Sequence, residues 1–320
     1  MEITDFPKLN LSNLPTPLTR LERISQYLNH NIYIKRDDLT GFCFGGNKTR
    51  KLDYLIAEAV EKGYDSLIAV GAYQSNFCRM AAGAGTATGL EVHLVLGGAQ
   101  DPAKATGNLL LNTILGVTIH KVYDSDWDVW TEAALSLQQE LIDSGKKPYY
   151  LPIGGSVPVG VLGYINGLKE ILDQSKRMGI EIDKIIHASS SGGTQAGLVL
   201  GKQIYKWPGE IIGIGVAKNE VQLNSEIREL CNSTSEMLGF KFNNEGINVD
   251  CSYIGDEYGA RTDEASEAIE LFAQKEGIFL DNVYTGKAAA GLIDYAKKNR
   301  FKQNENILFL HTGGNIELFE

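Results

Sequence analysis

The sequence predicts an α/β protein with two open, twisted parallel-sheet domains and flanking helices. Short apolar segments of strand type alternate with amphipathic helical segments over nearly the whole chain, which favours parallel sheets with right-handed crossovers. Most of the strand segments are continuous apolar runs, as expected of strands buried on both faces. Nine such strands fit two sheets better than one.

The strands and the clearest helices are predicted from local patterns. Strands are expected at residues 32–35, 66–71, 91–96, 118–122, 149–153, 184–188, 211–216, 247–254 and 306–311. Helical periodicity is clearest at residues 50–62 and 263–276. No linker rich in Pro, Gly or Ser divides the chain, so we expect one lobe to be inserted into the other.

The composition of the chain argues against nucleic acid and membranes as binding partners. The 320 residues are 43% hydrophobic and 22% charged, which is typical of a globular protein, and the formal charge is −10. Nucleic acid is not an expected partner, because a binder needs a basic face for the phosphates. No apolar run has the length of a membrane helix and the N-terminus has no signal-peptide pattern, so we predict a cytoplasmic protein without a membrane partner.

Cysteine and histidine do not form a recognisable pattern. Four cysteines and five histidines are dispersed, with no CxxC or HExxH spacing. We therefore predict neither a disulfide framework nor a metal site.

A double glycine before a basic helix start is the first candidate site. Asn47 is expected to cap the helix, which places Lys48 in its first turn. The positive end of the helix dipole disfavours a charged ammonium there, and a lysine with a lowered pKa suits Schiff-base chemistry. Lys51 lies one turn further on the same side, where it could hold an anion. The alternative is a solvated basic helix start.

A Ser/Gly loop after the strand at 184–188 is the second candidate site. Ser191, Gly192, Gly193 and Thr194 lead from this strand into a helix, an arrangement that offers N–H and hydroxyl donors to a phosphate. No Gly-Lys-Ser/Thr follows, so it is not a Walker A loop. The alternative is an ordinary glycine-rich turn.

Gln74, Ser75 and Asn76 place polar groups at the end of the strand at 66–71, although they could simply cap a helix. Three glycines follow within the expected helix: Gly83, Gly85 and Gly89. Their spacing and position are wrong for a dinucleotide fingerprint, which argues against an NAD-dependent dehydrogenase. We interpret these glycines as sites of close helix packing.

Taken together, these segments resemble the fold-type II pyridoxal-phosphate enzymes, whose fold is tryptophan synthase β-like. More narrowly, they resemble the family of D-cysteine desulfhydrase and 1-aminocyclopropane-1-carboxylate deaminase. The motifs occur in family order over nearly the whole chain: PTPL, IKRDDLTG, GGNKTRKL, QSN, PIGGS, SSGGTQAGL, GDEYG, VYTGK and HTGG.

The resemblance implies roles at the matching positions. Lys48 would hold pyridoxal 5'-phosphate as a Schiff base, and Lys48, Ser75 or Tyr284 would remove the α-proton of the substrate. The other implied cofactor contacts are Lys51, Asn76, Ser191, Gly192, Gly193, Thr194, Tyr284 and Thr312. The implied substrate contacts are Gln74, Ser75, Asn76 and Tyr258. Taken singly, each tyrosine would be read as a core aromatic and Thr312 as a cap.

Two threonines separate the branches of the family. The deaminase pattern has a glutamate where this chain has Thr285, and it lacks the threonine that corresponds to Thr312. A hydroxyl cannot keep the cofactor's ring nitrogen protonated, which suits β-elimination with a good leaving group. We therefore predict a carbon–sulfur lyase that converts D-cysteine to pyruvate, ammonia and hydrogen sulfide.

Several alternatives stay open at this point. They are 1-aminocyclopropane-1-carboxylate deamination, elimination from L-cysteine or L-cysteate, and a non-catalytic amino-acid-binding relative. The chain departs from the family pattern at Phe77, Val157 and Asn282, which leaves the exact substrate undetermined. The resemblance further implies a homodimer, with a small substrate-side domain at residues 55–163 inserted into a large cofactor domain at 1–54 and 164–320.

Overall fold

Two open sheets form the framework of the protein, seen in a computed structural model that describes residues 3–100 and 104–319. The strands, in chain order, are β1 (Leu18–Arg20), β2 (Asn31–Arg36), β3 (Ser66–Ala72), β4 (Glu91–Gly97), β5 (Thr118–Val122), β6 (Pro148–Leu151), β7 (Lys184–Ser189), β8 (Glu210–Gly215), β9 (Val249–Asp250) and β10 (Asn306–His311). One sheet has the order β1-β2-β10-β7-β8-β9, and the other has the order β5-β4-β3-β6. The two predicted sheets are thus confirmed.

Helices cover the faces of both sheets. They are α1 (Glu22–Leu28), α2 (Asn47–Glu61), α3 (Asn76–Ala87), α4 (Gly107–Ile114), α5 (Trp127–Asp143), α6 (Pro158–Met178), α7 (Gly193–Tyr205), α8 (Glu220–Leu238), α9 (Asp263–Glu276) and α10 (Thr285–Lys297). The helix predicted at 263–276 is confirmed at both ends. The periodicity at 50–62 belongs to α2, which begins at Asn47, one residue before the start expected from a cap at that position.

The strand pairings are parallel except at one edge, where β1 pairs antiparallel with β2. This three-residue strand was not predicted. The strand expected at 247–254 was largely wrong, because only Val249 and Asp250 pair with β8. The Asp250 carboxylate then accepts a hydrogen bond from the backbone N–H of Ser252 at 2.9 Å, which turns the chain away from the sheet.

The six-stranded sheet is buried on both faces, which explains its continuous apolar strands. Ile185 packs into a cluster with side chains of α6, α7 and α8, while Ile186 packs with side chains of α1, α9 and α10. Both are fully buried, since successive residues of a strand point to opposite faces.

A buried ion network fixes the position of α2. Arg50 donates to Asp37 at 2.7 Å and to Glu170 at 2.9 Å, and Lys35 donates to Glu170 at 2.5 Å. Tyr164 donates to Asp37 at 2.6 Å. The network joins α2 to the end of β2 and to α6, so the start of α2 is held between two other elements.

All four strands of the smaller sheet lie between residues 66 and 151, within the predicted insert at 55–163. The domain boundaries themselves stay a prediction. Within residues 3–100 and 104–319, no helix is long and apolar enough to cross a membrane. The same ranges contain no group of three or more His, Cys, Asp or Glu side chains arranged to hold a metal ion.

Candidate active site

A cavity lies where the carboxyl ends of strands from both sheets meet. The segments that follow β3, β6, β7 and β10 contribute to its wall through Asn76, Gly154, Ser190 and Thr312. Ligands of open α/β sheets bind outside the carboxyl ends of their strands, which is the position of this cavity. Lys48, at the start of α2, also lines it.

Lys48 is partly buried, and burial lowers the pKa of its ammonium from 10.5 to about 8. A lowered pKa was expected from the helix dipole, whereas burial is the cause in the structure. Asn47 is not the cap that was predicted. Gly46 precedes the helix, and Asn47 is its first residue, with Nδ2 donating to Thr194 Oγ1 at 3.0 Å.

The conformation at Gly46 permits close approach of the chain after β10. Its φ of 128° is strained for other residues, and a Cβ here would lie 2.6 Å from the Met80 methyl carbon and 3.2 Å from the Thr312 carbonyl oxygen. The next N–H, of Asn47, donates to that carbonyl oxygen at 2.9 Å. The start of α2 and the end of β10 are therefore locked together beside Lys48.

Lys51 lies fully buried beneath the Ser/Gly loop. Its Nζ donates to the Gly154 carbonyl at 3.0 Å and contacts Ser156 Oγ at 3.4 Å. Burial and the nearby charge of Lys48 hold its pKa well below the ordinary value. A Cβ on Gly193 would lie 2.6 Å from Lys51 Nζ, so a larger residue here would force the Lys51 ammonium to move.

The Ser/Gly loop leads from β7 into α7, as predicted. Gly192 has a φ of 75° and precedes the first residue of the helix, Gly193. Ser191 Oγ accepts from Ser156 Oγ at 2.8 Å. Ser189 Oγ, also in the cavity wall, is buried without a hydrogen-bond partner among the described residues. Free hydroxyl and N–H donors at a helix N-terminus suit a phosphate.

Two lysine ammonium groups lie close together at this site, which favours the binding of an anion. Across residues 3–100 and 104–319, neither Lys48 nor Lys51 forms an ion pair with a carboxylate. Buried charges are ordinarily paired, because desolvation of an isolated ion is costly. Lys51 is not in the cavity wall, but a ligand with a phosphate group bound in the cavity against the Ser/Gly loop would bring negative charge close to both lysines. The residues present therefore fit pyridoxal phosphate.

Ser75 and Asn76 border the cavity at the start of α3. Ser75 is also the helix cap, since its Oγ accepts from the Cys78 N–H at 3.2 Å. Gln74, by contrast, is not in the cavity wall. Its Oε1 accepts from the Asn108 N–H at 2.8 Å and caps the start of α4, so the structure does not place the Gln74 side chain where a substrate contact was predicted.

Two of the three glycines interpreted as sites of close helix packing lie inside α3. Gly83 and Gly85 lie inside α3, where an added Cβ would come within 2.1 Å of Cys43 Sγ and 2.5 Å of Val92 Cγ2, respectively. They are sites of close packing, as predicted. Gly89 follows the helix with a φ of 79°, so its placement inside the helix was wrong.

Two tyrosines meet on the opposite wall. Tyr258 and Tyr284 share a hydrogen bond of 2.5 Å between their hydroxyl oxygens, and both line the cavity. Burial, reinforced by the neighbouring Tyr258, holds the pKa of Tyr284 well above its ordinary value. The Tyr284 phenol therefore keeps its proton at neutral pH, and either hydroxyl can be the donor of the shared hydrogen bond.

The two branch-specific threonines have different environments. Thr312 lines the cavity. Thr285 does not: it is fully buried, and its hydroxyl donates to Asp281 Oδ1 at 2.5 Å. Among the described residues of the cavity wall there is no Asp or Glu.

Two tryptophans in the cavity wall were not predicted from the sequence. Trp127 and Trp130 lie in the first turn of α5 and reach the cavity. The Trp127 ring packs edge-on against Tyr258 at 5.5 Å, and Lys218 Nζ lies 5.3 Å from its centroid. They lie outside every family motif, and their spacing of three residues is also that of an ordinary core face. Of the departures from the family pattern, Phe77 lines the cavity and Val157 does not.

Comparison with known proteins decides the family. Residues 9–313 match the family model described as pyridoxal-phosphate dependent enzyme. The chain belongs to the pyridoxal-phosphate-dependent enzymes. Its cofactor is pyridoxal 5'-phosphate, in agreement with the prediction.

Relatives and solved structures narrow the group. A Pyrococcus furiosus protein, provisionally named 1-aminocyclopropane-1-carboxylate deaminase, is 40% identical over 98% of this chain and 93% of its own length. The D-cysteine desulfhydrase of Serratia proteamaculans is 36% identical over 99% of this chain and 97% of its own length. The crystal structure of an ACC deaminase homologue has a TM-score of 0.92 at 39% identity, and it covers 99% of this chain and 94% of its own.

A more distant structure supports the fold. Threonine deaminase isoform 2 from Solanum lycopersicum, 20% identical over 98% of this chain and 81% of its own, has a TM-score of 0.67. The protein is thus a fold-type II lyase of the deaminase and desulfhydrase group, as the motifs predicted. Both names occur among its relatives, so its substrate is a separate question.

Proposed function

We propose that this enzyme catalyses α,β-elimination of D-cysteine to pyruvate, ammonia and hydrogen sulfide. The absence of carboxylates among the described residues of the cavity wall is the observation that carries the proposal. Thr312 offers a hydroxyl there, while the Thr285 hydroxyl is engaged by Asp281. A ring nitrogen without an acidic partner is a weaker electron sink. That suffices when a good leaving group departs, whereas opening a cyclopropane ring demands more.

The cofactor would be held by Lys48, Lys51 and the Ser/Gly loop. When bound, pyridoxal phosphate supplies a conjugated ring that delocalises the electron pair released at the substrate's Cα. Asn76, Thr312 and Tyr284 line the same cavity and are proposed as further contacts. The residues of this chain then have to orient the substrate and move its protons.

Proton movements follow from the state of each side chain. With a pKa of about 8, Lys48 is partly neutral near that pH and can accept the proton from Cα. Tyr284 keeps its proton, so it does not act as the base, and its hydroxyl is proposed to hydrogen-bond the departing sulfur. Ser75 Oγ already accepts from a backbone N–H, and its own O–H is proposed to bind the substrate carboxylate.

The elimination balances with one water. The Cα–H bond breaks and its proton passes to Lys48. The Cβ–S bond breaks with its electron pair leaving on sulfur as hydrosulfide, which then takes the proton from Lys48 to give hydrogen sulfide. Hydrolysis of the remaining three-carbon unit by one water gives pyruvate and ammonia. The net change is cysteine plus water to pyruvate, ammonia and hydrogen sulfide.

A substrate panel tests this proposal. D-cysteine, L-cysteine, L-cysteate and 1-aminocyclopropane-1-carboxylate are each supplied to the enzyme, with pyruvate, 2-oxobutanoate and the sulfur product measured. We expect pyruvate and sulfide in equal amounts from D-cysteine and none from a Lys48→Ala control. Formation of 2-oxobutanoate without turnover of D-cysteine would instead establish the deaminase, the name carried by the Pyrococcus furiosus relative. Binding without any product would indicate a non-catalytic relative.

Assembly as a homodimer and a cytoplasmic location are also part of the proposal. Large apolar side chains are more than half exposed at Phe44, Ile114, Phe279 and Phe319. Where exposed apolar side chains lie together in one patch, they are typical of protein–protein contacts. Light scattering on the purified enzyme should give about twice the 35.0 kDa chain mass, and a monomeric mass would reject the dimer.

A further inference from the structure

A chain of buried polar contacts joins Asn76 in the cavity wall to the segment that follows β10. Asn76 Nδ2 donates to Glu317 Oε1 at 2.5 Å. On the other side, Arg79 Nη1 donates to Asn76 Oδ1 at 2.8 Å. Glu317 lies in the 3-10 turn Asn315–Phe319, which follows the larger sheet, whereas Asn76 and Arg79 lie in α3 beside the smaller one. The contacts therefore tie the two sheets together behind the cavity.

All three side chains are almost removed from solvent. Arg79 is 1% exposed, and Asn76 and Glu317 are each 8% exposed. Asn108 adds a second donor to Asn76 Oδ1, through its Nδ2 at 3.2 Å. Charge interactions are strengthened when water is excluded, so the cation and the anion act strongly on the amide between them.

The two charges fix which way the Asn76 amide points. The guanidinium of Arg79 faces the amide oxygen and the carboxylate of Glu317 faces the amide nitrogen. A flipped amide would set its oxygen against the carboxylate and its NH2 group against the guanidinium. Both attractive contacts would become repulsive. An amide has two N–H donors, so one is engaged by Glu317 and the second is left for a ligand in the cavity.

We propose that Glu317 and Arg79 are positioning residues that make Asn76 present an N–H donor, and not its carbonyl oxygen, to the 3-oxygen of the cofactor. The proposal rests on the assignment of Asn76 as a cofactor contact, made above, and on the family resemblance, which implies the cofactor's 3-hydroxyl as its partner. A donor stabilises the anionic form of that oxygen, whereas a carbonyl would repel it. Glu317 lies three residues beyond the HTGG motif, so the motif comparison gave no indication of it.

Cofactor binding to the full-length protein tests this inference. Glu317→Ala and Glu317→Gln proteins, freed of cofactor, are titrated with pyridoxal phosphate while the visible absorption band is recorded. We expect Glu317→Ala to raise the Kd about threefold to tenfold, the effect of one hydrogen bond, and to weaken the visible band of the bound cofactor. Glu317→Gln keeps an acceptor for Asn76 without the charge, so its effect should be smaller. Glu264→Gln, an exposed change on α9, is the charge-matched control.

A double-mutant cycle separates positioning from a purely structural role. If Glu317 acts through Asn76, then Glu317→Ala should change neither Kd nor spectrum further in an Asn76→Ala background. An equal effect in both backgrounds would overturn the proposal, and so would an unchanged Kd and spectrum in the single variant. Should Glu317→Ala fail to fold, as judged by circular dichroism, the same cycle is run with Glu317→Gln. No substrate is involved, so failure of the D-cysteine reaction would leave this result unaffected.

Discussion

Replacing Lys48 by Met should stabilise the cofactor-free protein while abolishing covalent cofactor attachment. Burial lowers the pKa of Lys48 from 10.5 to about 8. The charged form therefore destabilises the fold by up to roughly 3 kcal/mol, at about 1.4 kcal/mol per pH unit. Relief of repulsion with Lys51 acts in the same direction. The wild type should gain stability as the pH rises from 8 to 10.5, where the unfolded chain still binds the proton and the folded chain has lost it.

Urea unfolding of the two cofactor-free proteins at a series of pH values measures this effect. The advantage of Lys48→Met should be full below pH 8 and should decline towards pH 10.5. Lys51 is present in both proteins, so its own titration largely cancels in the difference. A variant that is no more stable than wild type at pH 7, or a difference that does not change with pH, would refute the reasoning.

Three further substitutions test other parts of the account. Gly193→Ala places a Cβ 2.6 Å from Lys51 Nζ, so the Kd for pyridoxal phosphate should rise at least about tenfold with the fold intact by circular dichroism. Arg50→Met should lower the free energy of unfolding, measured in urea, by about 3–5 kcal/mol, because it leaves buried carboxylates without their ion-pair partner. Burial alone would raise the pKa of Asp37, but its contacts, chiefly with Arg50, outweigh burial and lower the pKa from 3.8 to about 2. Wild-type stability should therefore fall by roughly 2 kcal/mol between pH 4 and 2, a loss that a variant without Arg50 should not show. Thr285→Glu adds a second buried carboxylate beside Asp281, so the free energy of unfolding, measured by thermal unfolding, should fall by about 3 kcal/mol or more. An unchanged Tm would contradict the placement of Thr285.

Local patterns were sufficient for most of the framework. Continuous apolar runs such as the one containing Ile185 and Ile186 predicted strands covered on both faces, and the structure gives each residue a different helical layer. The antiparallel edge strand β1 was missed because three residues carry too little periodicity to be recognised. The segment after Asp250 was predicted as strand because it is apolar, yet a side-chain hydrogen bond turns it away.

The motifs predicted which segments meet at the cavity, whereas contacts between residues far apart in the sequence could not be predicted from it. The Ser/Gly loop, Lys48 and both tyrosines come together as the motifs implied. The use of Gln74 as a cap for α4 depends on a contact across 34 residues, which no local pattern encodes. The same holds for Glu317, whose contact with Asn76 spans 241 residues.

Locating the cofactor's covalent bond tests the central claim most directly. The enzyme with bound pyridoxal phosphate is reduced with borohydride, digested and mapped by mass spectrometry. The account predicts a single phosphopyridoxyl group, attached to the side chain of Lys48. Attachment at Lys51 or another lysine, or a protein that carries no such group after incubation with the cofactor, would contradict it.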